Sequence, residues 1–79
     1  MPHTPQKPKR PAARSVLAAN LRRLRAINAL SQYDLADRSG VDRSFIAHVE
    51  REARNVSIDT IDKLAFALQV PIAELFTEM

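Results

Sequence analysis

Hydrophobic residues recur along the chain at intervals of three and four, the spacing that places them on one face of an amphipathic helix. In the first such stretch, Ser15 is the predicted N-cap. Asn28 is predicted to end the helix in the left-handed conformation, because no glycine is available there. The apolar stripe of this first helix consists of Val16, Leu17, Leu21, Leu24 and Ile27. Its opposite face carries arginines, so the pattern predicts a helix that packs on one side only.

The central stretch, residues 31–51, predicts two short helices separated by Gly40, the only glycine of the protein. Ser31 is the predicted N-cap of the second helix, and Asp42 is that of the third. Helical spacing gives the third helix a buried face of Phe45, Ile46 and Val49. A helix, a glycine turn and a further helix form a helix-turn-helix motif, whose second helix enters the major groove of DNA. The central stretch therefore indicates DNA binding.

Two more helices are predicted in the C-terminal part. The fourth is expected to begin at the N-cap Ser57, and Pro71 is expected in the first turn of a short fifth helix. The buried stripe of the fourth helix is Ile58, Ile61, Leu64, Ala65 and Leu68. No segment alternates between apolar and polar residues for long enough to predict a strand. We therefore expect an all-α domain of five helices.

The first 14 residues differ from the rest: they contain four of the five prolines, four basic residues and no acid. Proline removes backbone donors, and the segment has too little apolar surface to offset the entropy of ordering. We expect residues 1–14 to be a disordered basic tail and residues 15–79 to be the folded domain. The tail either serves solubility or places its cations along the phosphates or in a minor groove of DNA.

Composition excludes several classes of protein. Without cysteine, neither a disulfide nor a thiolate metal site can form. The two histidines are isolated and the acids are spread along solvent faces, so the sequence predicts no catalytic centre, metal site or cofactor. No apolar run approaches the ~20 residues that span a bilayer. We expect a soluble protein of the cytoplasm that is not an enzyme, associated with the nucleoid of a bacterium or with a phage.

The outward face of the third helix carries short or polar side chains opposite its buried face. Arg43 is the best candidate for a bidentate contact with a guanine, Ser44 can exchange a hydrogen bond with a base edge, and Ala47 can touch a thymine methyl. His48 is either simply solvated or donates to a phosphate or base, in which case its protonation should tighten binding.

Two segments carry a family resemblance: LRRLRAINALSQYDLADRSGVDRSFIAHVER and SIDTIDKLAFALQVPIAELF. They resemble the Cro/CI-type, or xenobiotic-response-element-like, helix-turn-helix family, which implies a lambda-repressor-like fold. The stretch DRSFIAHVEREARNVSIDTI is similar to the controller proteins of restriction–modification systems, although phage repressors and antitoxins share much of it. The family often has glycines where this chain has Ala29 and, after the third helix, Glu52 and Ala53. These departures leave the geometry of two loops open.

The resemblance also implies roles for individual residues. Gln32, beside the free backbone donors of the second helix, is expected to contact a DNA phosphate. Arg54 and Asn55, in the loop after the third helix, match residues that hold the DNA backbone. The resemblance pairs Glu50 with Arg25 of the first helix, since an unpaired carboxylate facing inward would be costly.

Three residues keep two interpretations. In the controller branch an aromatic residue at the position of Phe45 lies beside the DNA, so Phe45 either contacts a base or packs in the core. Arg51 and Arg38 either contact phosphates or are ordinary surface charges.

The C-terminal helix has more apolar surface than so short an element needs for itself. A chain of 79 residues without disulfides often gains stability by pairing with a copy of itself. A two-fold dimer would place two third helices about one DNA turn, ~34 Å, apart and would imply a palindromic operator. The predicted dimer interface consists of Leu68, Ile72, Leu75 and Phe76.

These features together predict a transcriptional regulator that binds palindromic operators in double-stranded DNA as a homodimer, a restriction–modification controller or a similar autoregulator. RNA polymerase is a further candidate partner. The alternative is an antitoxin or a protein-interaction module that uses the same fold to bind a partner protein. Neither a membrane nor a metal ion is an expected partner.

Overall fold

The computed structural model describes residues 11–78, and most of the predicted basic tail lies outside the described residues. Between residues 11 and 78 all regular secondary structure is helical, and there is no strand. The elements are α1 (Ala13–Ile27), α2 (Gln32–Ser39), α3 (Arg43–Glu50), α4 (Ile58–Leu68) and a C-terminal 3-10 helix (Ile72–Phe76). The predicted all-α class is confirmed. The prediction of a fifth α-helix is wrong, because the last element is a 3-10 helix and Pro71 is its N-cap rather than part of its first turn.

Both ends of α1 differ from the prediction. The helix begins three residues earlier than expected, with Ala12 rather than Ser15 at the N-cap and without a side-chain cap, so Ser15 lies inside the first turn. At the other end Asn28 is not left-handed; its side-chain amide donates to the carbonyl of Leu24 at 2.8 Å. Ala29 takes the left-handed conformation instead, with φ of 53°. The reversal of the chain therefore falls one residue later than predicted.

The turn between α2 and α3 follows the prediction. Ser31 caps α2 through a reciprocal capping box: its hydroxyl accepts from the backbone N–H of Asp34, and the Asp34 carboxylate accepts from the backbone N–H of Ser31, both at 2.9 Å. This bond to the Ser31 N–H lowers the pKa of Asp34 below its ordinary value. Gly40 ends α2 with φ of 73°, a conformation that costs glycine little.

The N-caps of the two later α-helices are at the predicted residues. Asp42 occupies the N-cap of α3, but its carboxylate makes no capping bond to the helix backbone and instead accepts from the hydroxyl of Ser44 at 2.6 Å. Ser57 caps α4 by accepting from the backbone N–H of Thr60 at 3.1 Å. At the end of α4, Gln69 turns the chain in the left-handed conformation before Pro71.

The core draws one fully buried aliphatic side chain from each of the five elements. These side chains are Leu21, Leu35, Ile46, Leu64 and Leu75. Two of the predicted core residues are exposed: Ile27 at the end of α1 and Ile58 at the start of α4. Both continue the apolar period of their helix, but they lie in its terminal turn, beyond the reach of the neighbouring helices. Among the described residues, no helix is both long enough and apolar enough to cross a membrane.

Candidate nucleic-acid interface

The outward face of α3 begins at Arg43, the first residue of the helix and only half-buried. Its guanidinium lies 4.8 Å from the centre of the Tyr33 ring, and its Nη1 donates to the side-chain oxygen of Gln32 at 3.4 Å. Both of these partners belong to the first turn of α2. The arginine that is predicted to contact a guanine is therefore held by the preceding helix.

Ser44, the next residue, is exposed and bound locally to Asp42. Its hydroxyl donates to the carboxylate of Asp42, so a hydrogen bond to a base would exchange or share this partner. Further along α3, His48 is half-buried and its Nδ1 lies 2.8 Å from a guanidinium nitrogen of the exposed Arg51. Together these two residues place a polar pair at the C-terminal end of the helix.

Ala47 faces inward more than the helical spacing suggested, whereas Phe45, which the spacing placed on the buried face, is buried only in part. Ala47 was expected on the outward face, but only 8% of its surface is exposed. Phe45 is half-buried and packs against the hydrophobic core. The outward face of α3 thus consists mainly of Arg43, Ser44 and His48.

Glu50, the last residue of α3, is the centre of a buried polar cluster. Its side chain is 5% exposed, and its two oxygens accept from Nε of Arg25 at 2.7 Å and from Nη2 of the same arginine at 2.8 Å. The structure thus brings together the two residues that the family resemblance paired. The hydrogen bond to Glu50 raises the pKa of Arg25 above its ordinary value, so the guanidinium stays charged.

Two further groups complete this cluster. The side-chain amide of Gln32 donates to Oε1 of Glu50 at 3.0 Å, and a guanidinium nitrogen of Arg22 donates to the backbone carbonyl of Glu50. Arg25 also donates to the carbonyl of Leu30, in the turn before α2, at 3.0 Å. The end of α3 is therefore bonded to both α1 and the start of α2. The Glu50 carboxylate thus fixes α3, and with it the outward face of that helix, relative to α1 and α2.

The loop after α3 carries Arg54 and Asn55, both of which are exposed. The first turn of α1 supports this loop. A guanidinium nitrogen of Arg14 donates to the side-chain oxygen of Asn55, and the hydroxyl of Ser15 donates to the carboxylate of Glu52 at 2.6 Å. Of the remaining phosphate candidates, Gln32 is engaged with Glu50, as described above. Arg38 is exposed in the last turn of α2, as Arg51 is at the end of α3.

The C-terminal 3-10 helix is anchored by a residue that the sequence did not single out. Asn20 of α1 is 1% exposed, and its amide donates to the carbonyls of Leu75 at 2.9 Å and Thr77 at 3.0 Å. Its oxygen accepts from Arg23, which also contacts Glu74 at 3.3 Å. A signal was present in the sequence, since Asn20 lies three residues after Leu17 and so within the apolar stripe of α1.

Two of the four residues predicted for a dimer interface lie inside the single chain. Leu68 and Leu75 are 2% and 0% exposed, respectively, and belong to the core. Ile72 and Phe76 are partly exposed on the 3-10 helix. Phe66 of α4, which the sequence analysis left out, is 84% exposed. Among the described residues from 66 to 78, the exposed large apolar side chains are therefore Phe66, Ile72 and Phe76.

Among residues 11–78, no three histidine, aspartate or glutamate side chains lie close enough together to hold a metal ion.

Comparison with known proteins identifies the family to which the chain belongs. Residues 21–75, more than half of the chain, match the sequence model described as "Helix-turn-helix". The chain belongs to the helix-turn-helix family.

Relatives within the helix-turn-helix family are found both by sequence and by structure. The chain is 45% identical over 64 residues to the control protein C.SmaI of Serratia marcescens, covering 81% of this chain and 76% of that protein. It is 48% identical to the restriction–modification controller protein C.AhdI of Aeromonas hydrophila, whose crystal structure superposes with a TM-score of 0.77 over 80% of this chain and 96% of that one. A hypothetical transcription factor of Neisseria meningitidis is 40% identical over 62 residues, which are 78% of this chain and 58% of that protein. The resemblance to the controller branch is confirmed.

The two departures from the helix-turn-helix family's glycines now have a structural description. Ala29 and Glu52, the positions where the resemblance led us to expect glycine, both adopt left-handed conformations, with φ of 53° and 62°. A side chain is energetically unfavourable in this conformation, and both residues that adopt it are exposed.

Proposed function

We propose that this protein is the transcriptional controller of a restriction–modification system, or a similar autoregulator, that binds a palindromic operator as a homodimer. As a helix-turn-helix protein, the chain is a DNA-binding transcriptional regulator. The observation that carries the finer proposal is the outward face of α3, on which Arg43 stands at the start of the helix, supported by α2. The names of the relatives favour a regulator over an antitoxin or a protein-interaction module.

Base contacts are assigned to the polar residues on the outward face of α3. Arg43 presents a planar fork of donors that suits O6 and N7 of guanine, and Ser44 lies beside it for a neighbouring base edge. His48 is the third candidate. Ala47 and Phe45 contribute less in this proposal, because both are turned towards the core.

Phosphate contacts are assigned to residues around α3. Arg54 and Asn55 lie in the loop that follows the helix, where Arg14 of α1 donates to the side chain of Asn55. Gln32 contributes from the first turn of α2, where free backbone N–H groups favour an anion. Arg51 and Arg38 supply further exposed charge. These contacts set the register of the protein on DNA and carry no sequence information themselves.

The homodimer is assigned to the exposed apolar surface at the C-terminal end. Phe66, Ile72 and Phe76 supply aromatic and aliphatic area that the single chain leaves in water. A two-fold axis there would set two α3 helices about one DNA turn, ~34 Å, apart. Duplication is also needed for function, because three base-contacting residues on one α3 discriminate too little to select one site in a genome.

Selection of bound sequences from random double-stranded DNA tests this proposal, since it yields half-site, spacing and symmetry together. We expect two inverted half-sites whose centres are about one helical turn apart. Enrichment of a single, asymmetric site would contradict the homodimer. Absence of any enrichment would contradict sequence-specific binding.

Charge-removing variants separate the two classes of contact. Arg43→Ala should relax preference at one base pair of each half-site, at a cost of ~1–3 kcal/mol per contact. Arg54→Ala should weaken all sequences alike and lower the salt slope by ~1 per subunit. Lys63→Ala is the matched control, because it removes the same charge from an exposed position on α4. If all three variants bind like the wild type, the assignment of α3 to the groove fails.

Analytical ultracentrifugation tests the dimer surface. Phe66→Ala should shift the protein towards monomer at micromolar concentration. Ile58→Ala is the control, because it removes an equally exposed aliphatic residue from the opposite end of the same helix and should leave the association unchanged. Equal behaviour of both variants would contradict the proposed surface.

A further inference from the structure

Tyr33 stands out because it is an aromatic side chain, 70% exposed, with an arginine over its ring. The ring belongs to α2 and the arginine, Arg43, to α3. The pair therefore bridges the two helices of the helix-turn-helix motif across the glycine turn. None of the roles assigned above uses Tyr33.

We infer that Tyr33 is a specificity-determining residue, whose ring holds the Arg43 guanidinium in position to contact a base. The inference rests on the proposed function, because it concerns how Arg43 meets the groove. Tyr33 itself touches neither base nor phosphate in this role. It acts on DNA through Arg43 alone.

The first step of the argument is the geometry around Arg43. The Tyr33 ring lies against its guanidinium at 4.8 Å, while its Nη1 donates to Oε1 of Gln32 at 3.4 Å. A ring on one side and an acceptor on another restrict the rotation of a long side chain that otherwise samples many rotamers. An arginine whose rotamers are restricted before binding loses less entropy when it docks.

The second step concerns Gln32, the acceptor for Arg43, whose side-chain amide is oriented by Glu50. The amide nitrogen of Gln32 donates to Glu50 at 3.0 Å, so the oxygen of the same amide is left to face Arg43. Glu50 is buried and bonded to Arg25, which makes this end of the chain of contacts rigid. The Tyr33 ring is the exposed end of the same arrangement.

The third step is the choice of the ring rather than the hydroxyl. A guanidinium over an aromatic face at an exposed site gains ~0.5–1 kcal/mol, which corresponds to a two- to fivefold change in an equilibrium. Phenylalanine offers this contact almost as well as tyrosine, whereas leucine does not. A hydroxyl that bound a phosphate would behave differently, since Phe would lose it as completely as Leu would.

The experiment compares Tyr33→Leu with Tyr33→Phe on the selected operator and on the same operator changed at the base pair that Arg43→Ala relaxes. We expect Tyr33→Leu to reduce the ratio of the two affinities by about two- to fivefold and to leave the salt slope unchanged. Tyr33→Phe should keep the wild-type ratio. In an Arg43→Ala background, Tyr33→Leu should have no further effect on the ratio, because the two residues act as one unit.

Several results would overturn the inference. Equal losses in the Leu and Phe variants, or a salt slope lower by ~1, would indicate a phosphate contact from the hydroxyl. A Tyr33→Leu variant that discriminates like the wild type would reject the role of the ring while leaving the proposed function intact. A wild-type protein that binds all sequences alike would instead reject the proposed function, and this inference with it.

A measurement on the free protein tests the contact without DNA. Side-chain protons of Arg43 above the Tyr33 ring experience a ring-current shift in the NMR spectrum. That shift should vanish in Tyr33→Leu and persist in Tyr33→Phe. An Arg43 spectrum that is the same in the wild type and in Tyr33→Leu would show that the ring does not hold the guanidinium in solution, and would overturn the inference.

Discussion

Arg25 of α1 and Glu50 of α3 form a bidentate ion pair, with Nε and Nη2 of the arginine 2.7 and 2.8 Å from the two carboxylate oxygens. Most of the arginine side chain and almost all of the glutamate side chain are shielded from water. Pairs of this kind hold two helices at a defined distance and angle. Removing one partner leaves the other buried and uncompensated, which is the larger part of the cost.

Arg25→Ala should lower the free energy of unfolding by about 3 kcal/mol, since it strands the Glu50 carboxylate. The double variant Arg25→Met/Glu50→Leu should cost less than Arg25→Ala, because no buried charge remains. Urea denaturation measures both. Glu74→Ala is the control: it breaks the more exposed Arg23–Glu74 contact and should cost less than about 1 kcal/mol. An Arg25→Ala protein as stable as the wild type would contradict the structural role of the pair.

Asn20→Leu should destabilise the protein by about 1–3 kcal/mol, because the carbonyls of Leu75 and Thr77 lose their donor. Since these carbonyls tie the 3-10 helix to α1, the C-terminal amides should also exchange faster with solvent. Hydrogen exchange and chemical denaturation measure the two effects. Asn28→Ala, which removes an exposed asparagine bound to one carbonyl, should change stability far less. Protection of the C-terminal amides in Asn20→Leu equal to that of the wild type would count against the anchor.

Ala29→Gly should stabilise the protein by about 0.5–1 kcal/mol. A side chain in the left-handed region costs ~1–2 kcal/mol, and part of the gain is offset by the greater freedom of glycine in the unfolded chain. Conversely, Gly40→Ala should destabilise, although a Cβ added there would meet no atom within 4 Å, so the whole cost is conformational. Gly40→Asn should recover part of that loss, because asparagine tolerates φ above zero. Thermal unfolding measures all three, and a destabilised Ala29→Gly would refute the strain at that turn.

The capping box of α2 should make stability depend on acid. The Ser31 N–H lowers the pKa of Asp34 in the folded state. The carboxylate therefore contributes fully above its unfolded pKa of ~3.9, and the contribution is lost as the pH falls through the lower folded pKa. Asp34→Asn should be less stable than the wild type at pH 7, and the difference should shrink between about pH 4 and pH 2. Ser31→Ala, which removes the reciprocal acceptor, should destabilise at pH 7 as well. A difference between the wild type and Asp34→Asn that stays constant down to pH 2 would exclude this titration.

The features that the sequence predicted correctly are those decided by neighbouring residues. Ser31 and Ser57 cap helices because a hydroxyl needs only the backbone three residues ahead. Gly40 ends α2 because its own backbone allows a positive φ. The family resemblance added the pairing of Arg25 with Glu50, which spacing alone could not have provided.

The features that were missed depend on neighbours distant in the sequence. Ile27 and Ile58 continue an apolar period but meet no opposing helix, so period alone misplaced them in the core. Ala47 sits close enough to the core to be covered, although its helical angle points outward. Asn20 was not singled out, because the carbonyls of Leu75 and Thr77 that satisfy its amide lie more than fifty residues away in the sequence. The contact between Tyr33 and Arg43 exists only because α2 and α3 pack against each other, and spacing along the sequence does not reveal it.

The side chain of Glu50 has consequences for how new operator preferences can arise. Its partners are Arg25 on α1 and Gln32 on α2, and neither belongs to the outward face of α3. Residues 44 and 48 can therefore be exchanged without disturbing what orients the helix. These two positions can be randomised in a library to change the operator preference while the contacts that hold α3 stay intact.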